Sequence, residues 1–443
     1  MLSLALIFIL LIIFLTQNRI NQFYIFVLSV LFPFTFGHIK SVPHVLIVEW
    51  LTVVFFLFNM NDLISLKSVY RNKKIIDFSG TRILIFGLIL LIIAAGYSFA
   101  NNELFATNTV SGAGGVSRTY FSIINNILIF FTTCIFIYNN YNELDIEKLL
   151  KIIVVLSIIL GIVRVFTFLY KIDVFFLAGS FNYNPRIGRL PMRLPSLERV
   201  SAVGIPAILA LRSTKNSFKI FSLLMFTIFI FLNGGRTFFV GIFLTLTLYM
   251  LFVLKGKSIY FILLIGLLTI TATIALPEEL LEKQIERMLS FEGGFKQQDS
   301  QRHITYMYYI QNFLENPILG KGIKEFMEFI PLEDKELLFV KRQQHAGGHG
   351  SYISLLSTFG IIGLMYFLIF LGYGIILALK KVRYYIREST ENFETTFALF
   401  LFLALVLKCI YSLTSYNGFA DRSLFLLVGL IAGLRIFENK NIS

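Results

Sequence analysis

The sequence predicts an all-α fold: a polytopic transmembrane helical bundle of about 12–13 spans, with one large, partly helical loop on its outer side. Three observations lead there. Hydrophobic residues make up 56% of the chain and charged residues only 15%, against roughly 25% charged in an average soluble protein. With a mean hydropathy of +0.77, such a chain has too little polar surface to dissolve as separate globules. Apolar stretches of about 15–22 residues recur from end to end, each long enough at about 1.5 Å per residue to cross a bilayer. Basic residues also collect in alternate connections, as they do in cytoplasmic loops.

Taken in order, the spans fall near 2–16, 20–36, 44–64, 82–100, 119–139, 150–170, 196–211, 217–233, 236–254, 258–276, 351–378, 396–416 and 423–437. Lys67, Arg71, Lys73 and Lys74 mark one cytoplasmic loop, and Arg212, Lys215 and Lys219 a second. Lys255 with Lys257, and Lys380, Lys381, Arg383 and Arg387, mark two more. The alternation puts the C-terminus in the cytoplasm and turns 101–118, 171–195, 277–350 and 417–422 outward. Residues 1–276 thus form a transmembrane bundle with outer loops at 101–118 and 171–195. Residues 277–350 form the large outer loop, and 351–443 the C-terminal transmembrane helices. No cleavable leader is expected, because the first apolar run passes straight into the second. Cys134 and Cys409 both lie in apolar runs and imply no disulfide framework. The net charge of +13 is explained by cytoplasmic loops, so nucleic acid is not an expected partner.

The segment 277–350 is too long for a simple connector. Its amphipathic stretches, Glu278–Leu289 and Ile304–Leu314, predict short helices on the membrane surface, and Asn316-Pro317 with Gly320 and Gly322 predicts a turn. His303, His345 and His349 lie in this loop, and imidazole is the side chain suited to taking a proton near neutral pH. His345 and His349 have the i, i+4 spacing of a helical zinc pair, but Gly347 and Gly348 disfavour a helix between them and no carboxylate is spaced to complete the site. Neither a metal nor another cofactor is expected.

Positive charge also stands where topology disfavours it. Residues 171–199 hold Lys171, Arg186, Arg189, Arg193 and Arg199 against Asp173 and Glu198, and Arg236 opens its helix directly after Asn233-Gly234-Gly235. Arg164 and Lys408 fall inside apolar spans, in the outer half of the bilayer. A lone intramembrane cation can snorkel or pair with a carboxylate such as Glu49. Several at one level point to a shared anionic ligand, for which a lipid pyrophosphate suits the bidentate arginine fork. Arg302, Tyr306 and Tyr309 share one helical face, which could offer a guanidinium and sugar-stacking rings or belong to an interfacial aromatic belt.

Three pieces of the chain resemble the bacterial O-antigen polymerases and O-antigen ligases. His349-Gly350-Ser351-Tyr352, leading into Leu355-Leu356-Ser357-Thr358-Phe359-Gly360-Ile361-Ile362-Gly363, is similar to that family's histidine motif, although many relatives have asparagine where this chain has Gly350. Arg302 followed by Asn316-Pro317-Ile318-Leu319-Gly320-Lys321-Gly322 resembles the arginine, proline and glycines of the same loop. Asn233-Gly234-Gly235-Arg236-Thr237 resembles the arginine at the outer mouth of a mid-chain helix. The likeness spans about residues 180–365 in pattern; elsewhere it is only hydropathy.

The resemblance implies a metal-independent, inverting glycosyltransferase of the bacterial inner membrane, working at its periplasmic face. The donor would be an undecaprenyl-pyrophosphate-linked oligosaccharide, held on Arg236 and Arg302 with Arg186, Arg189 or Arg193, while Arg164, Lys408 and Tyr306 complete the substrate site. His349 would be the general base. Membrane lipids and a chain-length regulator protein would be its other partners. Polymerase and ligase share these features; the compact loop, in which nothing marks a lipid A docking surface, favours the polymerase, with the ligase as the alternative. A flippase for the same lipid would also need cations, but would need no histidine-bearing loop and often shows internal repeats, of which none is evident here.

Overall fold

The computed structural model describes residues 12–32, 47–59, 78–101, 115–170, 196–212, 214–233, 236–254, 309–322, 351–387, 393–413 and 421–434, and these are helical throughout with no strand among them. The helices in chain order are α1 (Arg19–Leu31), α2 (Ile47–Phe58), α3 (Phe78–Asn101), α4 (Gly115–Asn140), α5 (Ile146–Tyr170), α6 (Ser196–Ala210) and α7 (Asn216–Asn233). There follow α8 (Arg236–Tyr249), continued by a π turn at Met250–Leu254, and a short helix α9 at 309–315. The C-terminal part comprises α10 (Ser351–Phe367), a π turn at Leu368–Gly372, α11 (Tyr373–Arg387), α12 (Phe393–Tyr411) and α13 (Arg422–Gly433). Each overlaps an apolar run read from the sequence, apart from α9, which falls inside the expected surface helix of the large loop. The expected span 258–276 and the stretch Glu278–Leu289 lie outside the described residues. Among the described residues, five helical stretches are long and apolar enough to cross a membrane by length and composition.

Helix α12 is the hub. It packs against α5, α6, α8, α11 and α13, and every residue from Phe397 to Leu407 is buried. A helix apolar on all sides belongs inside such a bundle. Helix α3 is the contrast: Ile83, Phe86, Ile89, Ile92, Ile93 and Phe99 are left exposed by the described residues, as on a helix that faces lipid. Close approach between helices rests on glycine. Gly429 and Gly433 of α13 lie against the Phe130 and Cys134 carbonyls of α4, with the Phe130 oxygen 2.8 Å from where a Gly429 Cβ would stand. This is a G-x-x-x-G contact in which small residues let two backbones meet. Gly161 of α5 and Gly204 of α6 instead form notches filled by Phe229 and Phe226 of α7.

Cross-helix polar contacts test the alternation of the spans. At the end that carries Lys380 and Arg383, Arg19 donates to the Asn59 side chain at 3.0 Å (Nε). Tyr24 accepts from the Asp145 amide at 2.7 Å, and Lys381 donates to the Ile431 carbonyl at 2.5 Å. At the far end Ser98 bonds Tyr120 at 2.6 Å, and Ser351 N donates to Ser412 O at 2.9 Å. The Lys381–Ile431, Ser98–Tyr120 and Ser351–Ser412 pairs each join two ends that the charge pattern assigns to the same side; Arg19, Tyr24 and Asn59 precede residue 67, from which that pattern runs.

One span departs from expectation. The run 351–378 reads as a single membrane helix, yet Gly360 inside α10 has φ 63° and ψ −156°, a combination open essentially to glycine alone. The chain folds back there. The Tyr352 and Phe367 rings meet edge to face with centroids 5.2 Å apart, although 15 residues of straight helix would separate them by about 22 Å. A Cβ on Gly363 would stand 3.3 Å from the Leu355 carbonyl. Residues 351–359 therefore form one arm of a helical hairpin, and 361–367, continuing into α11, form the other. Ser351 lies about 13 Å below the tip along the first arm, level with the last turn of α12, where Tyr352 reaches the Cys409 carbonyl at 3.4 Å.

Candidate functional site

The tip of the hairpin is held by the turn that follows α9. The Asn316 carbonyl accepts from Gly320 N at 2.9 Å, closing the turn, and the turn then exchanges backbone hydrogen bonds with the tip. Lys321 N donates to Ser357 O (3.0 Å) and Gly322 N to Thr358 O (2.9 Å), while Ile361 N donates to Pro317 O (2.8 Å) and Ile362 N to Ile318 O (3.3 Å). Breaking a helix at Gly360 strips its neighbours of intrahelical partners, and the turn supplies them. The approach demands glycine on both sides. Gly320 (φ 67°) lies with its Cβ position against Thr358 and Gly360, and the Cβ position of Gly360 falls on the Ile318 backbone. Asn312 of α9, buried, reaches the Ser357 hydroxyl at 3.4 Å. The Asn-Pro-Ile-Leu-Gly-Lys-Gly turn and the Leu-Leu-Ser-Thr-Phe-Gly segment, read separately in the sequence, are thus two halves of one clasp.

Beneath the clasp, three helix ends converge. The start of α10 docks on the end of α12 through the Ser351–Ser412 hydrogen bond. The start of α8 approaches the same turn: a Cβ on Gly241 would stand 2.8 Å from Leu407 and 3.3 Å from Ile410, and Arg236 lies five residues farther out. Two helix N-termini, each a positive dipole end, therefore lie at the last turn of α12, and the first amide of α10 is already bonded to it.

Two ion pairs border this place. Lys408 Nζ lies 2.8 Å from Asp421 Oδ2, with the side chains 13% and 21% exposed. The other Asp421 oxygen caps α13, accepting from Ser423 N (3.1 Å) and Ser423 Oγ (2.6 Å). Arg422 pairs with Glu49 of α2, whose side chain is buried. Glu49, considered as a partner for Arg164 or Lys408, belongs instead to Arg422, because the cap turns Asp421 toward α12 while the next residue faces α2. Asp421 and Arg422 carry no motif, and only their place at a predicted outer turn could have flagged them.

Of the residues singled out in the sequence, Lys408 is ion-paired at this end. Arg164 is half-buried in α5. Arg236 is the first residue of α8, and Tyr309, sharing a face with Tyr306, is buried. His345, His349, Arg302, Tyr306, Arg186, Arg189 and Arg193 lie outside the described residues.

No curated protein matches the chain. Residues 220–368, about a third of the chain, match the protein-family model described as O-antigen ligase; they contain all three pieces on which the resemblance was read, and over this stretch the chain is similar to that family.

Proposed function

We propose that the protein is a surface-polysaccharide polymerase that joins undecaprenyl-pyrophosphate-linked repeat units by metal-independent, inverting glycosyl transfer at the periplasmic face of the inner membrane. The observation that carries the reading is the convergence of the starts of α8 and α10 at the end of α12. Arg236 opens the first of these helices, and the chain keeps the His349 Cα within about 8 Å of that of Ser351, which opens the second. A diphosphate seated there gains from both helix dipoles and from the bidentate arginine fork, with Arg302, Arg186, Arg189 and Arg193 completing the cation set.

In the proposed step the acceptor sugar hydroxyl attacks the anomeric carbon from the face opposite the pyrophosphate. Its proton passes to His349 as the new C–O bond forms. The bond to the pyrophosphate oxygen breaks with its electron pair staying on the leaving group, and the surrounding cations offset the charge that develops there.

The test uses purified protein with an undecaprenyl-pyrophosphate-linked repeat unit. A product ladder from the wild type that vanishes in His349→Ala, at normal protein levels, is the expected result; substantial residual polymer in the variant removes the base. Arg236→Lys should be nearly as severe, since a point charge does not reproduce the fork. The family model is described as O-antigen ligase, so the second reading is transfer to lipid A core. A single shifted product, formed only when core is added, would establish it. Silence with both acceptors favours a flippase.

A further inference from the structure

We infer that Lys408 and Asp421 are a pair of positioning residues that seat the sunken N-terminal end of the 351–359 arm, and that Lys408 is not a contact for the lipid pyrophosphate. The inference rests on the glycosyl-transfer reading for its functional consequence but on its own geometry for the seating.

Five contacts carry it. Lys408 is bound at 2.8 Å to Asp421, and Asp421 is itself fixed by the Ser423 amide and hydroxyl. The pair therefore ties the last turn of α12 to the cap of α13, the two ends of one connection. One turn beyond Lys408, Ser412 N closes the helix on Lys408 O at 2.9 Å, and Ser412 O accepts from Ser351 N at 2.9 Å. Tyr352 is held on Cys409 of the same turn, its hydroxyl 3.4 Å from the carbonyl and 3.5 Å from the thiol sulfur. The position of the arm's first residue, two places after His349, is thus set by a carbonyl that the ion pair locates. A diphosphate drawn to Lys408 would lie against the Asp421 carboxylate, a like-charge contact. The neighbouring cation, Arg422, is engaged by Glu49 in the same way.

The experiment is a double-mutant cycle on the full chain in nanodiscs, with Lys408→Met, Asp421→Asn and the two combined; asparagine keeps the helix cap. Two readouts are taken: hydrogen–deuterium exchange of the 351–355 amides, and kcat and KM for the lipid-linked repeat unit. If the pair seats the arm, either single variant speeds exchange about tenfold or more and lowers kcat with KM nearly unchanged, and the double variant is no worse than the poorer single. If Lys408 contacts pyrophosphate, Lys408→Met raises KM while Asp421→Asn, releasing the lysine, leaves or lowers it; that pattern with unaltered exchange overturns the inference. Faster exchange in the variants together with a wild type that transfers to neither acceptor keeps the seating and removes the transferase reading.

Discussion

At the basic end of the bundle the Lys151–Glu147 ion pair lies on the surface, and two cations that join helices are met by neutral groups: Lys381 by the carbonyls of Ile431 and Leu434, Arg19 by the Asn59 amide oxygen and, at 5.6 Å, the Phe136 ring. At the far end they are met by carboxylates, Lys408 by Asp421 and Arg422 by Glu49. The difference sets what each end can tolerate. Deleting a cation at the basic end leaves a carbonyl or an amide without its donor, but no charge. Deleting one at the far end strands a charge. The far end also holds the positive-φ glycines of the described residues, Gly320, Gly322 and Gly360. An apparatus that must hold reacting groups in register concentrates rigid, mutually dependent contacts, and here they lie at the end where α8 and α10 begin.

The largest effect is expected at the clasp. Gly360→Val forces a side chain into a φ/ψ region costing about 1–3 kcal/mol by itself and onto the Ile318 backbone, so loss of monodisperse protein in size-exclusion chromatography is expected. A variant that purifies and transfers like wild type would refute the folded-back arm. Gly433→Leu comes next. It drives a side chain into the Cys134 carbonyl, and overpacking of this kind costs about 1–3 kcal/mol or more, to be read as a lowered melting temperature in detergent.

Lys408→Met against Lys381→Met then compares the two ends directly. Breaking a buried pair costs about 3–5 kcal/mol, and the partial exposure of Lys408 and Asp421 places this pair at or below the lower figure. Removing Lys381 forfeits hydrogen bonds worth about 1 kcal/mol net each. Equal losses in thermal melts would erase the distinction between the ends.

How much of this was legible in the sequence follows from what each signal measures. Hydropathy registers apolar length, and every helix from α1 to α13 except α9 overlaps an apolar run. It is blind to a dihedral angle. Leu355–Phe367 is apolar on both sides of Gly360, so the fold-back lies inside what reads as one span. The turn at Asn316–Gly322 was legible from proline and glycine chemistry, but not that its carbonyls serve the broken helix. The G-x-x-x-G of α13 stood in the sequence unread, because glycines in an apolar run suggest a close approach without naming the neighbour. Glu49 and Arg422 are 373 residues apart, and only the packing of α2 and α13 on the same helix, α4, brings them together. For the site, the starts of α8 and α10 were marked by motif, while the shared turn of α12 on which they meet was marked only by a lysine whose partner was misjudged.

The smallest effect tests whether the clasp is a backbone device. Lys321 and Glu315 form an ion pair across it, and the Lys321 and Gln311 hydrogen bonds hold the Glu315 carboxyl below its ordinary value. Because that value is depressed in the folded protein, whatever the pair contributes is present above the usual glutamate range near ~4.3 and fades as pH falls through the folded value. The pair is open to solvent, where such contacts contribute little. Glu315→Gln should therefore leave transfer and melting temperature at pH 7 nearly unchanged, and should flatten only the acid limb of a stability profile. A large loss at neutral pH would mean that side chains rather than the reciprocal amide–carbonyl bonds hold the turn to the tip, and the rigidity assigned to the far end would then have to come from its ion pairs alone.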